Sequence, residues 1–243
     1  MKTLRTSLLT AFFFAGILSL HAQTVDEIIS KHIAAVGGKD LIRSMKSLYE
    51  EGTMEVAGNE APVTTWIVYG KAYKNVVNFN GQDIIQVSTD KGGWMVNPMA
   101  GAATPTALPE DQANAGKLRF DYGGSSGSLI DYAAKGNKVE LQGKDTSGGK
   151  TAYKLKVTTK DNINIQFFID ASTWYITKAI TKITAGGQEI ETTVDFSDYK
   201  KLDNGLIVSY SQQLTLPQFT LNITEKKIEV NKAIDPAIFE MPK

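Results

Sequence analysis

The sequence predicts a mainly β protein with helices (α+β class), built as one large antiparallel sheet that curves without closing and is covered by helices. Three observations carry this reading. About twelve runs place apolar residues at a period of two, and the residues between them are those of strand reversal. Helical periods sit at the start of the chain and in one strand-poor stretch in its middle. Twist makes a flat sheet of that size curl, split or close, so a curved sheet wrapped around helices is the economical arrangement.

Residues 1–22 read as a targeting segment. Lys2 and Arg5 give a positive start, Leu8 to Leu20 is an apolar run, and the small Ala22 ends it. The run is too short for a convincing membrane span. The expectation is an exported protein whose mature part, 23–243, is one domain.

Thr24 to Val36 reads as the first helix. Thr24 and Glu27 form a T-x-x-E capping box, Ile28, Ile29, His32 and Ile33 share a face, and Gly37 and Gly38 end it. A short second helix is expected over Lys39 to Met45. Strand runs follow at about 47–56, 62–70, 72–80, 82–89 and 93–97, separated by "AGNEA", Gly70, "NG" and "DKGG". After a gap they resume at about 137–143, 150–159, 163–170, 174–185, 188–199, 205–216 and 218–230. In the last run the apolar positions slip from odd (Leu221, Ile223) to even (Ile228, Val230), which places a bulge near Glu225 or Lys226. Asp235 and Pro236 start a final helical turn.

The gap, Pro98 to Gly136, reads as strand-free. It holds a helix entered through Pro109 and a second helix over "SLIDYAAKG". A connection of this length in a compact domain is usually a lid or a disordered segment, and Leu108, Leu118, Phe120, Leu129 and Ile130 make it too apolar for a linker. We expect a lid with Leu108, Leu118 and Phe120 toward the sheet.

Composition excludes several chemistries. With no cysteine there is no disulfide, thiolate metal site or lipid-accepting residue. The chain has 26 basic and 26 acidic residues; without Lys2 and Arg5 the balance is 24 against 26, too even to attract nucleic acid. His32 is the sole histidine after residue 22 and lies on an apolar helix face, where a satisfied core histidine is expected. Glu50 and Glu51 point to opposite faces of a strand, and Glu110 and Asp111 suit a helix start. No catalytic residue, metal or cofactor is expected.

Several stretches together resemble the LolA family of periplasmic lipoprotein carriers and the wider outer-membrane lipoprotein-sorting proteins of Bacteroidetes-type bacteria. They are "HIAAVGGKDLIRSMKSLYEEGTMEV", "STDKGGWMVNP", the run from "FFIDASTWYITKAI" through "VDFSDYKKLDNGLIVSYSQQL", and "VNKAIDPAIFEMP". The resemblance implies an unclosed half-barrel of about 11 strands under a helical lid. It implies a monomeric, non-enzymatic periplasmic carrier that shields acyl chains of lipoproteins or a related lipid, between an inner-membrane donor and an outer-membrane acceptor. On that reading Trp66, Phe79, Trp94, Met95, Phe167 and Tyr210 line the cavity with Leu108, Leu118 and Phe120 of the lid. Arg43 or Arg119 holds the lid closed. The alternative is a structural or adaptor protein that fills its half-barrel with its own side chains.

Overall fold

In the computed structural model, which describes residues 23–146, 149–185 and 188–242, Thr24 caps α1 (Val25–Ala35) as its sequence requires. Its hydroxyl accepts from the Glu27 amide at 3.2 Å, and the Glu27 carboxylate accepts from the Thr24 amide at 3.0 Å. Gly37 and Gly38, at φ 128 and 90, then turn the chain into α2 (Lys39–Ser44), a left-handed passage that side chains resist. The expected targeting segment at 1–22 lies outside the described residues.

One wing of the sheet runs β1 (Ser47–Val56), β2 (Asn59–Val68), β3 (Ala72–Phe79), β4 (Gln82–Thr89), β5 (Gly92–Asn97) and β6 (Ala102–Ala107). The other runs β7 (Lys138–Asp145), β8 (Ala152–Thr158), β9 (Asn164–Asp170), β10 (Ile176–Ala185), β11 (Gln188–Lys201), β12 (Ile207–Thr215) and β13 (Thr220–Val230). Each wing is a meander, and β1 pairs antiparallel with β13 to join them. The result is a single 13-stranded sheet with β6 and β7 as its free edges.

Thirteen strands correct the count of about 11 that the resemblance implies, and they are one more than the runs read from the sequence. The strand beyond those runs, β6, lies inside the stretch read as strand-free. Its sequence, AATPTA, has no aromatic residue, valine or isoleucine, and Pro105 suits only a strand at an edge. Antiparallel pairing with β5 supplies what local preference does not. The expected bulge is present: Glu51 pairs with Lys227 and Gly52 with Glu225, leaving Lys226 as the extra residue.

Within 98–136, α3 (Glu110–Gly116) forms as expected and continues into a 3-10 turn over Lys117–Phe120. The second expected helix does not form. Asp131 takes φ 51, which interrupts a right-handed run, and 127–136 is a series of turns. Gly116 lies so close to the sheet that a Cβ there would come within 2.1 Å of the buried Ser88 hydroxyl.

α3 also reveals the curvature. It contacts β4 and β5 on one wing and β10 on the other. In the strand order β4 and β10 stand seven positions apart, which is about 34 Å across a flat sheet. A helix of 7 residues spans about 10 Å. The sheet therefore bends around α3, and the face bearing α3 is concave.

Register then sorts the side chains. Leu48, Glu50, Gly52 and Met54 of β1 point to the concave face with their partners Ile67 and Ala61 of β2 and Ile228, Glu225 and Ile223 of β13. The main core lies where α1, α2 and the insert cover the β8–β10 part of that face. Ile28, Leu129, Ile130, Leu155 and Ile169 are fully buried there. The opposite, convex face carries a smaller core in which Val87 and Trp94 are covered by the 3-10 turn Pro236–Phe239.

Candidate functional site

Three polar clusters secure the insert: two tie it to the helices and one ties it to itself. Asp131, whose αL backbone turns its carboxylate toward α2, takes Lys39 Nζ at 2.6 Å and Arg43 at 2.7 Å through one guanidinium nitrogen and 3.1 Å through Nε. The Tyr122 hydroxyl donates to the same carboxylate. These donors hold Asp131 well below the usual carboxylate range, Lys39 contributing most. Lys135 forms the cluster within the insert. Its ammonium donates to Asp121 at 2.6 Å and to the Gly127 carbonyl at 2.7 Å, and lies over the Tyr122 ring.

The third is His32, which is 1% exposed. Nδ1 lies 2.7 Å from the Trp174 carbonyl, and Nε2 lies 2.7 Å from the Ser126 hydroxyl. A carbonyl only accepts, so Nδ1 carries the proton and Nε2 accepts from Ser126. Burial lowers the imidazole to about 4, the Trp174 carbonyl opposing. The histidine is satisfied, as expected, and it joins α1 both to the insert and to the β9–β10 turn. Asp170 sets that turn by accepting from the Ser172 and Thr173 amides at 2.8 and 2.9 Å.

Asp131→Asn tests the first fastener. Asparagine tolerates φ 51 but removes the charge that binds Lys39 and Arg43. Amide exchange over 121–136 is expected to accelerate several-fold while exchange in β8 and β9 stays unchanged. Equal protection in the variant would mean that the ion pairs do not hold the insert.

Beneath the insert the concave face is not wholly apolar. Phe120 packs on Leu48 and Ile67, with Tyr69 and Tyr73 beside it. The next inward positions on β1 and β13 are Glu50 and Glu225. Gly52 makes room for the second: a Cβ there would lie 2.9 Å from Glu225 Oε2 and 2.5 Å from the Thr224 carbonyl. Burial pushes both carboxyls above their ordinary range, and the charge of Glu225 adds to the effect on Glu50. Burial likewise raises Tyr69 and Tyr73, with Glu50 adding to both and Arg119 opposing at Tyr73. Glu50, Tyr69 and Tyr73 are half-buried, and none of their polar atoms is both sealed and without a partner, which is the condition of side chains bordering an opening. The two carboxyls are moved in the same direction, whereas a general acid and base must be driven apart. No group of three His, Cys, Asp or Glu among the described residues is arranged to hold a metal.

A LolA-superfamily protein from Nitrosomonas europaea superposes with a TM-score of 0.58 at 10% identity, over 90% of this chain and 98% of its own. A DUF1329 family protein from Desulfovibrio piger gives 0.56 at 15%, over 89% and 97%. A domain described as an outer-membrane lipoprotein-sorting protein from Vibrio parahaemolyticus gives 0.52 at 14%, over 89% and 97%. This chain has the LolA-like fold. No family model matches the sequence, and no curated protein matches it.

On the LolA-like frame the residues singled out by sequence divide by face. Met95 pairs with Gln86 and Phe79 packs with Val77 and Ile84 on the concave side. Leu108 closes over Gly93, Leu118 joins the main core, and Phe120 is 5% exposed beneath the insert. Phe167 also faces inward, but under α1 within the packed core. Tyr210, an inward position on β12, lies under the Lys200 ammonium at 4.4 Å. Trp66 and Trp94 are placed differently from the expectation. Register puts both on the convex face, where Trp94 Nε1 donates to the Phe239 carbonyl at 2.9 Å and Trp66 lies beside Tyr49. Their position follows from which face of the sheet is concave, which alternation within a strand does not disclose. Of the two arginines, Arg43 binds the insert at Asp131, and Arg119 belongs to the insert itself, 6.0 Å over the Tyr73 ring.

Sequence reading missed Glu50 and Glu225 as a pair. The signal was present: Glu50 interrupts the inward series Leu48, Gly52, Met54, and Glu225 sits at the bulge. Their proximity depends on the pairing of β1 with β13, which are at opposite ends of the chain.

Proposed function

We propose that this protein is a non-catalytic periplasmic carrier that shields an acyl chain, of a lipoprotein or a related lipid, against its concave face. One observation carries the reading. At the end of that face away from the insert, Met54, Val63, Val77, Phe79, Ile84 and Ile223 form a continuous apolar surface, and Met54, Phe79, Ile84 and Ile223 are only half-buried. An acyl chain laid there removes water from both surfaces, at roughly 0.8 kcal/mol for each methylene covered. The LolA-like fold and the targeting segment read from the sequence agree with this role. No helix among the described residues is long and apolar enough to cross a membrane.

The adaptor reading draws on a different observation: α1, the insert and β8–β10 fill their half of the concavity with side chains that are wholly buried. The two readings separate by experiment. Native mass spectrometry of the purified protein is expected to show a bound lipid that organic extraction removes, and the extracted protein should take up a fluorescent fatty acid saturably. Absence of both signals would overturn the carrier and favour the adaptor.

A further inference from the structure

Glu50 and Glu225 stand on neighbouring strands, on one face, beneath the insert. Glu225 is 8% exposed. Neither carboxylate forms an ion pair or side-chain hydrogen bond among the described residues, and the charge of Glu225 acts on Glu50. The carboxylate oxygens are not sealed, so a ligand can reach them, yet two carboxylates without a cation side by side on a largely covered face are costly. An apolar pair would pack the same face at less cost, so the arrangement calls for a positive partner that the described chain does not supply. Arg119 lies over the outer ring, Tyr73, and is itself exposed.

The surroundings define that partner. The backbone is shaped around the acid: Gly52 keeps β1 clear of the Glu225 carboxylate, and the extra residue Lys226 on β13 sits beside it. Tyr69 and Tyr73 supply aromatic faces, which attract cations. Carboxylates among aromatic rings at the head of an apolar surface match a cationic amine carried on an acyl chain. They repel a carboxylate or a phosphate without such an amine.

We propose that the concave face holds an ammonium site, in which Glu50 and Glu225 bind the amine of the carried lipid and Tyr69 and Tyr73 wall it. The site rests on the carrier reading, because the amine reaches it only on a chain lying along the apolar surface. It adds a specificity which that reading lacks: amine-bearing lipids are held in preference to neutral or anionic ones of the same length.

The test compares dodecylammonium, dodecanol and dodecanoate, each below its micelle concentration, by displacement of a bound fluorescent fatty acid near neutral pH. The wild-type protein is expected to bind dodecylammonium on the order of tenfold more tightly than the other two, a ratio equivalent to about 1.4 kcal/mol. In E50Q/E225Q the preference should vanish while dodecanol binds as before. Single E50Q and E225Q variants replace the double one if it does not fold, each showing a reduced preference. Equal binding of the three probes by the wild type, or an unchanged preference in the variants, would overturn the ammonium site and leave the carrier standing. If no probe binds and no fatty acid is taken up, the carrier reading itself fails and the site with it.

Discussion

Phe120→Ala is expected to lower the free energy of unfolding by about 3–5 kcal/mol, the range found when a buried phenylalanine is truncated and its cavity does not collapse. The ring is 5% exposed and fills the space between Leu48 of β1, Ile67 of β2 and the insert. Its carbonyl also accepts from the Gly70 amide at 2.7 Å, so the backbone on which the ring sits is tied to the β2–β3 turn and cannot easily follow a shrinking side chain. Urea denaturation measures the loss. On the carrier function proposed above, the same variant should also release lipid faster, because the insert then covers the concave face less tightly. Met99→Ala is the control: Met99 is 61% exposed, and its truncation should change stability by less than about 0.5 kcal/mol. A Phe120→Ala loss as small as the control would mean that the insert folds independently of the sheet.

Thermal stability should pass through a maximum in pH, because buried groups titrate in opposite senses. In the folded state His32 stays neutral down to about 4, against 6.5 when exposed. As pH falls between these values the unfolded chain takes up a proton that the folded chain refuses, so stability drops. The interval corresponds to a loss of roughly 3 kcal/mol on reaching pH 4. Glu50 and Glu225 act on the other side. Their folded values lie above the exposed value of 4.5, so their contribution is complete below that pH and is lost as pH rises through the folded values. Melting temperatures measured between about pH 3 and pH 9 should peak near the exposed carboxyl value, with the His32 limb below it and the carboxyl limb outweighing it above. E50Q/E225Q should flatten the alkaline limb and raise stability there; His32→Gln should flatten the acid limb while lowering stability throughout. An alkaline limb unchanged in E50Q/E225Q would place its origin elsewhere.

Legibility differed among the elements for physical reasons. α1 was legible to the residue at its start because a capping box is a local contract between Thr24 and Glu27, three residues apart. The bulge was legible because a slip of one residue reverses every inward position after it, from Ile223 to Ile228. β6 was not legible, because AATPTA pairs through its backbone and its side chains carry little of the signal. The end of the helical run at Asp131 was hidden for a related reason. A positive φ at a single aspartate is held by Lys39, Arg43 and Tyr122, and two of those lie about ninety positions away.

Among the residues of the site, the sequence by itself determined what kind of face each strand presents, since alternation and turns are properties of neighbours in the chain. Phe79 and Met95 could be assigned to a sheet face on that basis, and so could Trp66 and Trp94. Which face is concave was decided by tertiary structure alone. It depends on the pairing of β1 with β13 and on the bend that lets α3 touch both β4 and β10. The same pairing brings Glu50 to Glu225 across 175 positions of chain. Curvature and long-range register arise from the sum of many strand twists and from the closure of long loops. No short window of residues encodes them, and they place the two tryptophans outside the concavity and the two glutamates within it.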